Sequence, residues 1–78
     1  MKMEEQILKV LKEVRPDVQA ENHEDLIDGG ILDSLDIVNM VAEMETVFDV
    51  SIPVEEIVPE NFNSVPAMAR MITRLQEE

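Results

Sequence analysis

The sequence predicts an all-α fold: a four-helix bundle of three main helices and one short helix, with a long loop between the first and second helices. Three observations lead to this prediction. Apolar residues recur at helical spacing in three stretches, the longest of these stretches contains no Gly or Pro, and no segment of convincing length alternates as a strand would. The 78 residues are enough for one small domain, which we place at 1–78.

The first helix is predicted over residues 3–15 and is stopped by Pro16, which cannot continue a helix. A connection rich in Asp, Glu and Asn follows over residues 16–33, and Gly29-Gly30 supplies a turn near its end. Apolar residues within the connection predict that it packs down on the helices. The apolar residues of the two segments are Ile7, Leu8, Leu11 and Val14 in the helix, and Leu26, Ile27, Ile31 and Leu32 in the connection.

The second helix is predicted over residues 34–48 and opens on residue types that favour a first helical turn. Pro53 suits the first turn of a short helix around residues 54–58, and Pro59 is expected to interrupt the chain after it.

The last helix is predicted over residues 64–77, with Ser64 as its cap and Pro66 in its first turn. Because the chain has only two aromatic residues, its six Met and its Ile, Leu and Val must fill the interior. The expected buried stripe of this helix is Met68, Met71, Ile72 and Leu75.

The charge balance restricts the classes of partner. The formal net charge is −12, from eighteen carboxylates and six Lys and Arg side chains. This argues against binding to nucleic acid, which requires a basic surface, and against docking on an anionic membrane. Basic proteins and divalent cations are the natural partners of such a surface.

Several kinds of site are excluded by composition. The chain has no Cys, and His23 is its one imidazole, so disulfides, a cysteine nucleophile and a Cys/His zinc site are ruled out. The spacing of Asp28, Asp33 and Asp36 does not fit a calcium-binding loop, and no metal site is predicted.

No apolar run reaches the length of a membrane span, and the amino terminus lacks the apolar core of a signal peptide. We therefore expect a cytoplasmic protein.

The second predicted helix has two apolar faces. A wide stripe on one side can anchor it in the core, while a small apolar seam lies roughly opposite, among acidic residues that will not enter a core unpaired. A small domain cannot easily bury both faces, so the seam is expected in water, where it would suit an intermittent protein contact. The alternative is that the long loop folds over it. The stripe is Ile37, Met40, Val41, Met44 and Phe48, and the seam is Leu35, Val38 and Ala42.

Ser34 lies where a turn leads into the second helix, so its hydroxyl should be accessible. The free N–H groups and positive dipole at a helix amino terminus tolerate a phosphate attached there. Position alone, however, fits a simple helix cap better, since Ser is a common capping residue.

The residues around Ser34 favour a modification site. Residues 30–38 read Gly-Ile-Leu-Asp-Ser-Leu-Asp-Ile-Val and resemble the phosphopantetheine attachment motif of acyl carrier proteins. Residues 45–53, Glu-Thr-Val-Phe-Asp-Val-Ser-Ile-Pro, look like that family's acidic and aromatic exit from its second helix. The resemblance covers roughly residues 5–76. Further similarity to stand-alone members lies in the third-helix region and the closing helix, at residues 55–57, 59–62 and 67–75.

The resemblance implies a four-helix bundle without catalysis of its own, in which a phosphopantetheinyl transferase using coenzyme A and Mg²⁺ attaches 4'-phosphopantetheine to Ser34. The arm's thiol would hold an acyl or aminoacyl group as a thioester, loaded by a ligase and passed to downstream acyltransferases or synthases. Asp33 and Leu35 flank the attachment serine, and in this family Asp33 lies beside the transferase metal. A monomer with an acidic docking surface for basic patches is expected. The docking residues implied are Leu35, Asp36, Val38, Asn39, Ala42, Glu43 and Glu45.

Some residues depart from the pattern of fatty-acid carriers. Those carriers usually show a small residue before Asp-Ser, whereas Ile31-Leu32 precedes Asp33 here. The sequence is closer to D-alanyl carriers and to specialised carriers of peptide or polyketide synthesis, and the cargo stays open among these. The non-enzymatic alternative is an unmodified acidic adaptor that binds a basic protein. A minimal hydrolase using Ser34 is disfavoured, because His23 has no evident means of reaching it.

Overall fold

The computed structural model describes residues 2–19 and 23–77, and the regular secondary structure within these ranges is helical. Four α-helices follow one another in the described chain, and a 3₁₀ turn precedes the third. The predicted all-α fold, with three main helices and one short helix, is confirmed. The helices are α1 (Met3–Val14), α2 (Ser34–Phe48), α3 (Pro59–Phe62) and α4 (Val65–Gln76), and the 3₁₀ turn is Val54–Glu56.

Helix α1 is amphipathic and buries one face. Glu4 and Glu5 in its first turn and Lys12 in its last turn match the helix dipole. The helix ends at Val14, one residue earlier than predicted, and Pro16 follows. Its fully buried residues, each stabilising the fold by about 1.5–3 kcal/mol through the hydrophobic effect, are Ile7, Val10 and Leu11.

The long connection packs against the helices, as its apolar residues predict. Leu26 and Leu32 are buried in the core, and the Leu26 carbonyl accepts hydrogen bonds from the N–H groups of Ile31 and Leu32 at 3.0 and 2.8 Å. The Leu26 N–H in turn donates to the carbonyl of Asn63 at 2.9 Å, which ties the connection to the carboxyl-terminal half of the chain. Residues 20–22 of the predicted connection lie outside the described residues.

The segment after α2 differs from the prediction. A helix is expected around 54–58 with Pro59 as an interruption, but only a 3₁₀ turn forms at Val54–Glu56, and Pro59 begins α3. Proline is suited to a first helical position, because its missing N–H would have no partner there and its φ is already helical. Pro59 therefore starts a helix instead of interrupting the chain.

Helix α4 closes the bundle. Helix α1 packs against both α2 and α4, and α3 packs against α4. The side chain of Ser64 caps α4, as predicted, by accepting a hydrogen bond from the Ala67 N–H at 3.2 Å. Arg74 of α4 forms two hydrogen bonds of 2.8 Å with the carboxylate of Glu56, which joins the 3₁₀ turn to α4. The buried side chains that α2 and α4 place in the common core include Met40, Met44, Phe48, Met68, Met71 and Ile72.

Candidate functional site

The start of α2 is built by a reciprocal pair of hydrogen bonds. Asp33 is the N-cap, and its Oδ1 accepts from the N–H of Asp36 at 2.9 Å. The Oδ2 of Asp36 accepts from the N–H of Asp33 at 3.1 Å, which completes a capping box. We call residues 31–36 the entry turn. In this turn Asp33 caps the helix, and Ser34 is the first helical residue.

Ser34 is exposed, and its hydroxyl makes no hydrogen bond to another described residue. The hydroxyl stands beside the helix amino terminus, where free N–H groups and the helix dipole favour a negatively charged group. Because Asp33 already satisfies the Asp36 N–H, a group on Ser34 would displace no existing bond. The residues present therefore fit a phosphate ester at Ser34.

Asp36 is not on the exposed rim where the sequence places it. Only 8% of Asp36 is exposed, and its Oδ2 accepts a hydrogen bond from Nη1 of Arg15 at 2.6 Å. Burial raises the pKa of this carboxyl, but the hydrogen bond from the Asp33 backbone and the Arg15 guanidinium outweigh burial and hold the pKa below its ordinary value of 3.8. The expectation of Asp36 in the docking rim is thus corrected, because a helical wheel cannot show an ion pair with another element.

Glu45 is also engaged inside the molecule. It is partly buried, and its Oε2 accepts a hydrogen bond from the N–H of Ile52 at 2.8 Å. The carbonyl of Glu45 accepts from the cap residue Asp49, which adopts the left-handed conformation with φ 53°. Glu45 therefore holds the chain as it leaves α2. The docking rim predicted from the sequence loses Glu45 as well as Asp36.

The apolar seam is exposed, as the two-faced helix predicts. Leu35 is 67% exposed and Val38 is 62% exposed, and Ala42 lies beside them in solvent. The long connection does not cover them, so the alternative in which the loop folds over the seam is not what the structure shows. The polar side chains Asn39 and Glu43 on the same helix are exposed as well.

Sequence reasoning missed Arg15. This residue follows α1 and is separated from Asp36 by 21 positions, and no motif or spacing links the two. A weak signal was available: α2 contains no basic residue, so any partner for a buried acid on α2 had to come from another element.

Comparison with known proteins identifies the class. Residues 3–72 match the family model described as phosphopantetheine attachment site, and the chain therefore belongs to this family. It is a carrier protein, and its cofactor is 4'-phosphopantetheine, held covalently by a serine. The alternative of an unmodified adaptor is not favoured. Carrier proteins work with a phosphopantetheinyl transferase and with ligases.

Several similar proteins are D-alanyl carrier proteins. The chain is 34% identical to those of Streptococcus mutans and Streptococcus uberis, and 31% identical to that of Streptococcus pyogenes. Each match spans 77 residues, which is 97% of this chain and 98% of the relative. The resemblance to stand-alone carriers, nearer the D-alanyl type, is thereby confirmed. Within residues 2–19 and 23–77, no helix is long and apolar enough to cross a membrane.

Proposed function

We propose that Ser34 is the serine that carries 4'-phosphopantetheine, and that the chain presents a D-alanyl or related aminoacyl or acyl group to partner enzymes. The observation that carries the proposal is the exposed Ser34 hydroxyl, which stands at the first position of α2 and makes no hydrogen bond to another described residue. The other described serines lack this combination: Ser64 uses its hydroxyl as a cap, and Ser51 lies outside any helix.

In the modification, the Ser34 Oγ forms the new bond to phosphorus while the pyrophosphate bond of coenzyme A breaks and 3',5'-ADP leaves. The Ser34 proton passes to a base of the transferase, because no described side chain of this protein bonds to the hydroxyl. The carboxylate of Asp33, adjacent to Ser34 and exposed, is available to the transferase Mg²⁺. When bound, the group supplies a thiol on a flexible arm that holds the cargo as a thioester.

The seam of Leu35, Val38 and Ala42 is the proposed contact for partner enzymes, with Asn39 and Glu43 as its exposed polar rim. Asp36 is left out because it is bonded to Arg15, and Glu45 is left out because its carboxylate accepts from the N–H of Ile52. No Lys or Arg occurs between residues 16 and 69, so α2 itself carries acidic and no basic side chains. Such a surface steers basic partners into encounter without requiring tight binding, which suits a shuttle.

The proposed cargo is a D-alanyl group, since the similar proteins are D-alanyl carriers. A D-alanyl group is small, so this proposal needs no room for it in the core, where Met40, Met44 and Met68 are fully buried. In this proposal the chain is a cytoplasmic monomer of one domain and catalyses no step itself. The loading ligase and the downstream acyltransferases supply the catalysis.

The proposal is tested by mass. The purified chain is incubated with coenzyme A, Mg²⁺ and a broad-specificity phosphopantetheinyl transferase, and the intact mass is measured. We expect one phosphopantetheine adduct on the wild type and on Ser51→Ala, and none on Ser34→Ala. Ser51 is the matched control, because it is exposed and its replacement removes the same hydroxyl. An unmodified wild type, or an adduct on Ser34→Ala, would overturn the assignment.

A further inference from the structure

Arg15 connects the end of α1 to the entry turn through two hydrogen-bond acceptors. Its Nη1 donates to the carbonyl of Ile31 at 3.1 Å and to Oδ2 of Asp36 at 2.6 Å. These two acceptors lie on either side of Ser34 in the chain. One side chain from another element therefore bridges the segment that enters the turn and the helix that leaves it.

The guanidinium is held in this orientation by Asp17. Nε and Nη2 of Arg15 donate to Oδ1 and Oδ2 of Asp17 at 3.0 and 2.9 Å, in the paired geometry typical of Arg and carboxylate groups. With this edge of the guanidinium taken up by Asp17, Nη1 points to Ile31 and Asp36. Hydrogen bonds to Asp17 and then to Asp36 raise the pKa of Arg15, so it stays charged.

The Asp36 oxygen that binds Arg15 is the same oxygen that accepts from the Asp33 N–H in the capping box. The Asp36 side chain is only 11% exposed, against 31% for Arg15. Without Arg15 the carboxylate would be left buried without a cationic partner, and such a group turns toward water or becomes protonated. Either change disturbs the hydrogen bond that closes the entry turn around Ser34.

The other backbone hydrogen bonds at the start of the entry turn are made within the connection. The N–H groups of Ile31 and Leu32 both donate to Leu26, which belongs to the same connection. The Ser34 hydroxyl makes no bond to another described residue, so the orientation of Ser34 depends on the backbone of the turn. Arg15 is thus a polar link that joins this turn to the end of α1.

We propose that Arg15 is a positioning residue for the modification of Ser34: by bridging Ile31 and Asp36 it keeps the entry turn in the conformation that the transferase recognises. The inference rests on the proposed attachment at Ser34. If the turn is competent for only a fraction of the time, the apparent dissociation constant rises in inverse proportion to that fraction, and the bound complex is unchanged. Loss of Arg15 is therefore expected to act on KM and not on kcat.

The test is steady-state modification by one transferase, with the carrier concentration varied. Arg15→Gln should raise the KM for the carrier about fivefold with kcat within about twofold of wild type. Arg15→Lys keeps the charge and one donor to Asp36 but loses the paired geometry, so it should restore part of the effect. The matched control is Arg74→Gln, which removes the same charge and also breaks a paired bond to a carboxylate, that of Glu56. Its KM should stay within about twofold of wild type.

A measurement without the transferase separates positioning from general loss of stability. In the unmodified protein, amide hydrogen exchange of Asp36 and Ile37, whose N–H groups bond to Asp33, should be faster in Arg15→Gln and unchanged in Arg74→Gln. A second Asp36→Asn substitution should add little to Arg15→Gln if both act through the same bond.

The outcomes distinguish this inference from the attachment itself. If wild type is modified at Ser34 but Arg15→Gln has the KM and the exchange rates of wild type, the positioning role is wrong and the attachment stands. Equal effects of Arg15→Gln and Arg74→Gln would also overturn it, since they would indicate net charge or overall stability. A wild type that is not modified at all would overturn the proposed attachment instead.

Discussion

Helices α2 and α4 both begin beside a serine, and the two serines have different roles. Ser64 precedes α4 as its N-cap, and its hydroxyl accepts a hydrogen bond from the Ala67 N–H. At α2 the cap is Asp33, and Ser34 comes one position later, as the first helical residue. A shift of one residue therefore decides whether the hydroxyl is used inside the fold or is available outside it.

This comparison shows that a serine at a helix start is not by itself a functional site. Serine is among the common N-caps, and Ser64 is an ordinary example. Ser34 becomes available because a carboxylate takes over the capping role, and because the side chain of Asp36 completes the capping box from inside. The exposed seam of α2 then lies next to a free hydroxyl, whereas no such seam accompanies Ser64 among the described residues.

The largest expected difference between the two helices lies in their apolar residues. Met68 of α4 is fully buried, whereas Val38 of α2 is 62% exposed. Met68→Ala should lower the free energy of unfolding by about 2–4 kcal/mol through lost burial and a cavity, and Val38→Ala should change it by less than about 0.5 kcal/mol. Urea unfolding followed by circular dichroism measures both. A cost for Val38→Ala close to that of Met68→Ala would show that the seam is not free.

The two caps should contribute similar amounts. Asp33→Ala and Ser64→Ala should each lower the free energy of unfolding by about 1 kcal/mol, because each leaves a helix N–H without its acceptor. Asp33→Asn keeps a side-chain oxygen as acceptor and should cost about half as much or less. Denaturant unfolding at neutral pH measures these values.

Only one of the two caps should affect modification. Ser64→Ala should be modified at the wild-type rate, whereas Asp33→Ala and Asp33→Asn should both be modified more slowly, since both remove the carboxylate beside Ser34. Asp33→Ala with wild-type stability would contradict the assignment of Asp33 as the cap. Slower modification of Ser64→Ala would contradict the separation of the two helix starts.

The smallest expected effect is on the pH dependence of the free energy of unfolding, and it arises from Asp36 of α2. The pKa of Asp36 in the folded protein lies below its ordinary value of 3.8. A lowered folded pKa means that the ionised carboxyl contributes stability above about pH 3.8, and that this contribution is lost as the pH falls through the lower, folded value. The difference in the free energy of unfolding between wild type and Asp36→Asn should therefore be larger near pH 6 than near pH 2 to 3.

The control for this pH series is Glu43→Gln, which neutralises an exposed carboxylate on the same helix. The difference in the free energy of unfolding between wild type and Glu43→Gln should not show the change with pH that is expected for Asp36→Asn. A constant difference for Asp36→Asn across the whole pH range would indicate that the ionised form of Asp36 does not stabilise the fold.

The sequence by itself determined the three main helices and pointed to the candidate site. Periodic apolar residues placed α1, α2 and α4 to within a residue or two, because amphipathic spacing is a local property of the chain. The same spacing predicted that Leu35 and Val38 would stay in water while Met40 and Met44 are buried, and the structure confirms both. The motif around Ser34 is likewise contiguous, so it could be read without any knowledge of packing.

Only the tertiary structure decided which polar groups near the site are free. Asp36 is paired with Arg15 across 21 positions, and Glu45 with Ile52 across seven. The side chain of Asn63 accepts from the N–H of Ile27 across 36 positions. Such bonds depend on distances that the packing of separate elements sets, and no local pattern encodes them. The packing thus removed Asp36 from the predicted docking rim and bonded Arg15 to the turn that contains Ser34.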